Sequence, residues 1–109
     1  MILQPGKYKL LKIFVGEMQR FEGKSLYHAL VLKLREAGVA GATVSRGVEA
    51  YGAASTIKKV GILDLSADLP MIVEAVDTEE KIRSVLPVIS GMVSQGLIYL
   101  VDAEVIKHG

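Results

Sequence analysis

The residues best suited to chemistry lie in one stretch, Gly41-Ala42-Thr43-Val44-Ser45-Arg46-Gly47-Val48-Glu49-Ala50-Tyr51-Gly52. Thr43, Val44 and Val48 favour an extended backbone, whereas Gly47 and Gly52 let a ligand come close to the main chain. The segment that follows, Ala53 to Lys59, combines small residues with the cations Lys58 and Lys59. Arg46, Lys58 and Lys59 thus flank a glycine-rich strand end, where backbone N–H groups and cations can converge on an anion such as a phosphate. The plain alternative is a bulge and a solvated loop that only reverses the chain. Glu17, Arg20 and Lys24 form a second polar cluster before a helix N-terminus, which also favours an anion.

Other chemistries lack their residues. His28 and His108 stand alone, without Cys, Asp or His at ligand spacing, and neither is assigned to a metal. No cysteine is present, which excludes disulfides, zinc-thiolate sites and thiol nucleophiles and suits a reducing cytoplasm. No asparagine is present either, which removes phosphatase chemistry built on an Arg and Asn pair. The serines occupy no nucleophile-elbow context, and the adjacent Glu79 and Glu80 read as charge complementing a helix N-terminus.

The elements that must hold these residues follow from periodicity. At 109 residues and 50% hydrophobic, the chain is expected to be a single domain over 1–109, with some apolar surface buried between subunits. A net charge of +1, with basic and acidic residues interspersed, gives no footprint for nucleic acid. There is no signal-peptide pattern and no apolar run of membrane-spanning length, so no membrane insertion is expected. Strand one spans Tyr8 to Val15, and Leu26, Leu30 and Leu34 mark a helix over Ser25 to Ala37 that Gly38 stops. Strand two runs from Ala42 to Tyr51, Val60 to Leu65 is an apolar strip, and Leu69 to Val76 is a further strand with Pro70 at its start. Asp77-Thr78-Glu79-Glu80 reads as a capping box, with Asp77 accepting from the first-turn amides and Glu80 reaching back. The second helix then carries Ile82, Val85, Leu86, Ile89, Met92 and Val93 to Gly96, with Pro87 expected to bend it. Leu97 to Ile106 alternates as a last strand, with Leu97, Tyr99, Val101, Ala103 and Val105 on one face. Met1 to Gly6 and Lys107 to Gly109 are expected to fray. The order βαββαβ predicts an α+β, ferredoxin-like sandwich, with two helices on one face of an antiparallel sheet.

The order of motifs carries more than any one of them. Ile13-Phe14-Val15-Gly16-Glu17, Gly23-Lys24-Ser25-Leu26-Tyr27, the run from Ala37 to Gly52, Asp68-Leu69-Pro70, Val73-Glu74-Ala75-Val76-Asp77 and Gly96-Leu97-Ile98 together resemble a family of small PII-like proteins, domain of unknown function 190 of the UPF0166 type. The chain is similar, more distantly, to the PII nitrogen-signalling proteins, with Thr43-Val44 and Ala50-Tyr51-Gly52 at the places that open their mobile T-loop, one residue further apart. This resemblance implies a ferredoxin-like subunit in a homotrimer, with an adenine nucleotide (AMP, ADP or ATP) in each cleft between neighbours and no cofactor beyond it. It further implies a non-enzymatic, cytoplasmic regulator whose loop after strand two, Tyr51 to Val60, is mobile without ligand and meets a protein partner, a membrane transporter or an enzyme. Gly52 matches the glycine that approaches the phosphates, Tyr51 the aromatic before it, and Glu74 the acid bordering the base pocket; Ala50 stands where PII has a glycine. Arg46, Gly47 and Lys58 complete the expected nucleotide site, the two cations as phosphate neutralisers. The loop after the second helix is short, at Ser94-Gln95-Gly96, and in place of PII's C-terminal arginines there is only Lys107. A small enzyme using the same cleft and a divalent-cation-binding trimer are the alternatives.

Overall fold

The computed structural model describes residues 1–52 and 68–109, and the backbone of 58–59. Its elements are β1 (Gly6–Gly16), β2 (Arg20–Phe21), β3 (Lys24–Ser25), α1 (Leu26–Glu36), β4 (Ala42–Arg46), β5 (Glu49–Ala50), β6 (Lys58–Lys59), β7 (Pro70–Asp77), α2 (Glu79–Met92) and β8 (Leu97–Val105). The main sheet has four strands in the order β4-β7-β1-β8, every pairing antiparallel. With the helices between β1 and β4 and between β7 and β8, this is the expected ferredoxin-like sandwich.

Strand alternation divides the sheet into two unlike faces. Leu11, Ile13, Val15, Val73 and Ala75 point to one side and form the core with Leu26, Ala29, Leu30 and Leu34 of α1 and Ile82, Val85, Ile89 and Met92 of α2. Leu10, Phe14, Ile72, Val76, Leu97, Tyr99 and Val101 lie on the other face, which neither described helix covers. Of these, Leu97 is 55% and Val101 41% exposed, so apolar side chains face outward on either side of the row that holds Lys12 and Glu74.

Helix α1 ends as its sequence predicts. Gly38 takes φ +83°, and the Gly38 and Val39 amides donate to the Arg35 and Leu34 carbonyls. These two bonds make a Schellman closure, sealed by Val39 and Leu34, both members of the core.

Several expectations are corrected. Asp77 does not cap α2: it is the last residue of β7, opposite Lys9, and the cap is Thr78, whose Oγ1 accepts from the Lys81 amide at 3.1 Å. Asp77 is instead buried, accepting from the Ala40 amide at 2.9 Å and the Thr78 amide at 2.7 Å, which ties the α1–β4 connection to the start of α2. Asp77→Ala would leave the Ala40 N–H unpartnered, an expected loss of about 1–3 kcal/mol. Urea unfolding reads it directly, and an unchanged midpoint would show that these bonds contribute nothing.

Helix α2 stops at Met92 rather than Gly96, because Val93 has turned to an extended conformation (φ −100°, ψ 101°). Pro87 sits within the helix, where its missing N–H leaves the fourth carbonyl before it without a helical donor. The charged stretch before α1 forms a small hairpin, β2 against β3, turned by Glu22 and Gly23 at φ 49° and 81°. The ends of the chain do not fray as expected: Leu3 is buried and its amide donates to His108 Nδ1 at 2.8 Å.

Exposed ion pairs decorate the helical side, Lys9 with Asp102 and Arg83 with Glu79. Their hydrogen bonds hold the Asp102 and Glu79 carboxyls below the ordinary range and raise the Lys9 ammonium. Open to solvent on at least one partner, such pairs contribute little to stability.

Candidate functional site

Strand β4 organises the candidate site, and its two ends do different things. At its start, Thr43 is paired with Glu74 of β7, Glu74 with Lys12 of β1, and Lys12 with Tyr99 of β8. Paired residues share a face, so these four cross the uncovered side of the sheet as a row. Lys12 leans away from its acidic neighbour: its Nζ lies 5.7 Å from the Phe14 ring centre and 5.9 Å from that of Tyr99, and the two rings stack at 5.7 Å. Among the described residues Glu74 forms no salt bridge.

Glu74 instead borders a cleft of about 560 Å³. Ala40, Gly41, Ala42 and Thr43 make one wall, Leu10, Glu74 and Val76 belong to the sheet beneath, and Leu3, Val105, Lys107 and His108 close the other side. The lining is apolar with a few polar groups, one carboxylate among them, the composition of a small-molecule site. Nothing crowds Gly41, where an added Cβ would meet no atom within 4 Å.

At the far end of β4 the chain leaves the sheet. The Gly47 amide donates to the Pro70 carbonyl at 2.8 Å, and a Cβ at Gly47 would come within 2.7 Å of Pro70 Cγ, so close contact with Pro70 requires glycine there. The expected single strand from Ala42 to Tyr51 is therefore broken after Arg46. Residues Glu49 and Ala50 resume as β5, paired with Lys59 and Lys58 of β6 in a separate two-stranded ribbon. Tyr51, 72% exposed, and Gly52 continue from it, and among the described residues no atom lies within 4 Å of a Cβ added at Gly52.

Of the seven residues expected from sequence, only Glu74 lines the cleft. Arg46, Gly47, Ala50, Tyr51 and Gly52, with the Lys58 backbone, gather at the ribbon. Arg46 lies three residues beyond Thr43, roughly 10 Å along an extended strand. Its guanidinium meets Glu17 at 3.1 Å, across a half-exposed pair. The second polar cluster is not assembled: Glu17 turns to Arg46, the Arg20 guanidinium donates to the Gly23 carbonyl, and the Leu26 amide at the start of α1 is taken by the Gln19 carbonyl. The mobile loop expected from Tyr51 to Val60 falls largely on residues outside those described, as does the apolar strip from Val60 to Leu65. Among the described residues no helix is long and apolar enough to cross a membrane, and no group of His, Asp or Glu is placed to hold a metal ion.

Residues 8–105 match the model of the DUF190 family, described as Uncharacterized ACR. The chain belongs to this family. It is 45% identical over 100 residues to a UPF0166 protein of Aquifex aeolicus, covering 92% of this chain and 94% of that one. A UPF0166 protein of Methanocaldococcus jannaschii is 39% identical over 102 residues, with coverage of 93% and 94%. Among solved structures, the fold matches CPII, a nitrogen regulatory PII-like protein from Thiomonas intermedia K12 bound to ADP, AMP and bicarbonate. That match has a TM-score of 0.70 at 17% identity and covers 94% of this chain and 91% of the other. The DUF190 chain thus has a PII-like fold.

Sequence reasoning missed most of the cleft in this DUF190 member. Ala42 and Thr43 were read as strand, Gly41 as the residue before it, and Lys107 and His108 as a loose end, yet all five face one space. One signal for Thr43 was available: it falls on the same strand face as Ser45, opposite to Val44, and so on the polar side of β4.

Proposed function

We propose that this protein is a PII-like signalling protein that binds an adenine nucleotide in clefts between the subunits of a homotrimer. One observation carries the reading: in a single subunit the cleft and the ribbon lie at opposite ends of β4. Glu74 and the cleft lie at its start, and the ribbon with Arg46, Gly47, Ala50, Tyr51 and Gly52 at its end. A neighbouring copy that brings its ribbon to this cleft completes the site. The uncovered apolar face offers the surface for such an assembly, and a protein of the same fold, CPII, is bound to ADP and AMP.

In this reading Glu74 and Thr43 meet the adenine, whose exocyclic amine suits a carboxylate acceptor. The phosphates lie against the Gly47 to Gly52 backbone, neutralised by Arg46 and Lys58. Glu17 does not block this role, since a half-exposed pair such as Arg46 with Glu17 is weak and a phosphate displaces it. Ligand binding at the ribbon then alters the loop beyond Tyr51, which presents a surface to a protein partner, a transporter or an enzyme, in the cytoplasm. No catalytic step is assigned; the relatives carry the names of UPF0166 and PII-like regulatory proteins.

Calorimetry with AMP, ADP and ATP, run beside light scattering, tests both halves. Micromolar affinity for at least one nucleotide and a trimeric mass are expected. Absence of binding for all three at millimolar concentration overturns the nucleotide reading, and a monomer at micromolar concentration removes the intersubunit cleft.

A further inference from the structure

One wall of the cleft is held by a bond between residues 105 positions apart. The Leu3 amide donates to His108 Nδ1 at 2.8 Å, and the Leu3 side chain is 7% exposed beside the sheet. Neighbouring contacts reinforce the join: the Tyr8 hydroxyl donates to the Gln4 carbonyl, and the Ile2 side chain lies against Gly109. Leu3, Lys107 and His108 all line the cleft, so this clasp forms part of the surface a ligand would touch.

The clasp uses an acceptor that one proton destroys. A neutral imidazole with a bare Nδ1 can receive the Leu3 N–H, whereas an imidazolium carries hydrogen on both ring nitrogens and can only donate. We propose that His108 is a proton-operated latch on the cleft wall: neutral, it holds residues 1–5 in place, and protonated, it releases them.

Glu74, from β7, is the one carboxylate among the described residues that line the cleft. Lys107 is the cation on the segment of His108 itself. The residues lining the cleft from β1 and from Ala40 to Thr43 bring no charge. Release opens the wall beside Glu74. For the nucleotide site this part of the argument rests on the function proposed above: a ligand stacked against Leu3 and Val105 loses that wall in acid.

The latch can be read without any nucleotide. NMR exchange protection of the Leu3 amide, divided by its intrinsic rate, is compared at about pH 7.5 and about pH 5.5. The wild type is expected to lose protection tenfold or more on acidification. His108→Asn, whose side-chain oxygen can accept near the Nδ1 position but does not titrate, is expected to keep it at both pH values, and His108→Ala to lack it at both. Residue 108 lies outside the core, so all three proteins should fold. Equal wild-type protection at both pH values, or the same acid loss in His108→Asn, overturns the latch. AMP titrations at both pH values add the functional arm: the phosphate of AMP itself takes up a proton across this range, so both proteins weaken, and the weakening is expected to be threefold or more greater in wild type than in His108→Asn. An AMP affinity that falls equally in both proteins also overturns it. If neither binds AMP at either pH, the nucleotide reading fails while the amide measurement still decides the latch.

Discussion

Replacing Gly96 with alanine is expected to remove about 3 kcal/mol or more of folding stability. The added Cβ would lie 2.4 Å from the Phe14 carbonyl oxygen, 2.9 Å from Val93 Cγ1 and 3.3 Å from Val15 Cγ1. A side-chain tip could swing away, but the nearest atom is main chain. Phe14 is paired with Ile72 on one side and Leu97 on the other, so its carbonyl cannot retreat without breaking the middle of the sheet. Gly91→Ala supplies the contrast. It sits in α2 with nothing within 4 Å of the new methyl, and should gain about 0.5–1 kcal/mol from helix propensity. Urea unfolding of both variants, with matched slopes, measures the pair; a Gly96→Ala midpoint equal to wild type would mean that the α2–β8 turn does not pack as described.

The second large effect concerns binding. Gly41→Val and Gly52→Val should each weaken adenine-nucleotide affinity tenfold or more while leaving the unfolding midpoint nearly unchanged. Among the described residues neither glycine has an atom within 4 Å of an added Cβ, and neither has a positive φ, so the described fold gives no reason to reject a side chain at either place. Gly41 lines the cleft beside Glu74, where valine would fill the space for the base, whereas Gly52 follows the ribbon, where valine would hold a phosphate off the backbone. The two variants test the two half-sites separately. Calorimetry with the trimer verified in each sample gives the answer. Full affinity in Gly52→Val with loss in Gly41→Val would confine the ligand to the cleft and remove the ribbon from the site.

The regular elements were legible because their signals are local. Leu26, Leu30 and Leu34 announce α1, Gly38 ends it, and the alternation from Leu97 to Val105 names the face that the register confirms. The misreadings share a different cause. Val44 and Val48 have strand propensity on both sides of Gly47, so nothing local marks the break; it comes from Pro70, a residue on another strand. Asp77 looks like a cap until Ala40 claims its carboxylate from 37 positions away. The hairpin from Arg20 to Ser25 lacked apolar alternation, although Glu22-Gly23 is a passable turn pair. For the site, the glycine-rich run pointed to the ribbon and the family resemblance to Glu74. The opposite wall of the cleft depends on Leu3 meeting His108, a contact no window of sequence contains.

The register of β1 has a consequence for how the chain is made. Its residues from Gly6 to Phe14 find one set of partners in β8, where Gly6 meets Val105 and Phe14 meets Leu97. On the ribosome β1 therefore waits for β8, and until then one edge of it carries unpaired amides and carbonyls next to an apolar face. Loop closure over so much chain also slows folding in isolation. The nascent protein should thus be most vulnerable to aggregation between the emergence of α2 and that of β8, and substitutions that weaken Leu97 to Val105 should lower soluble yield out of proportion to their effect on the finished fold.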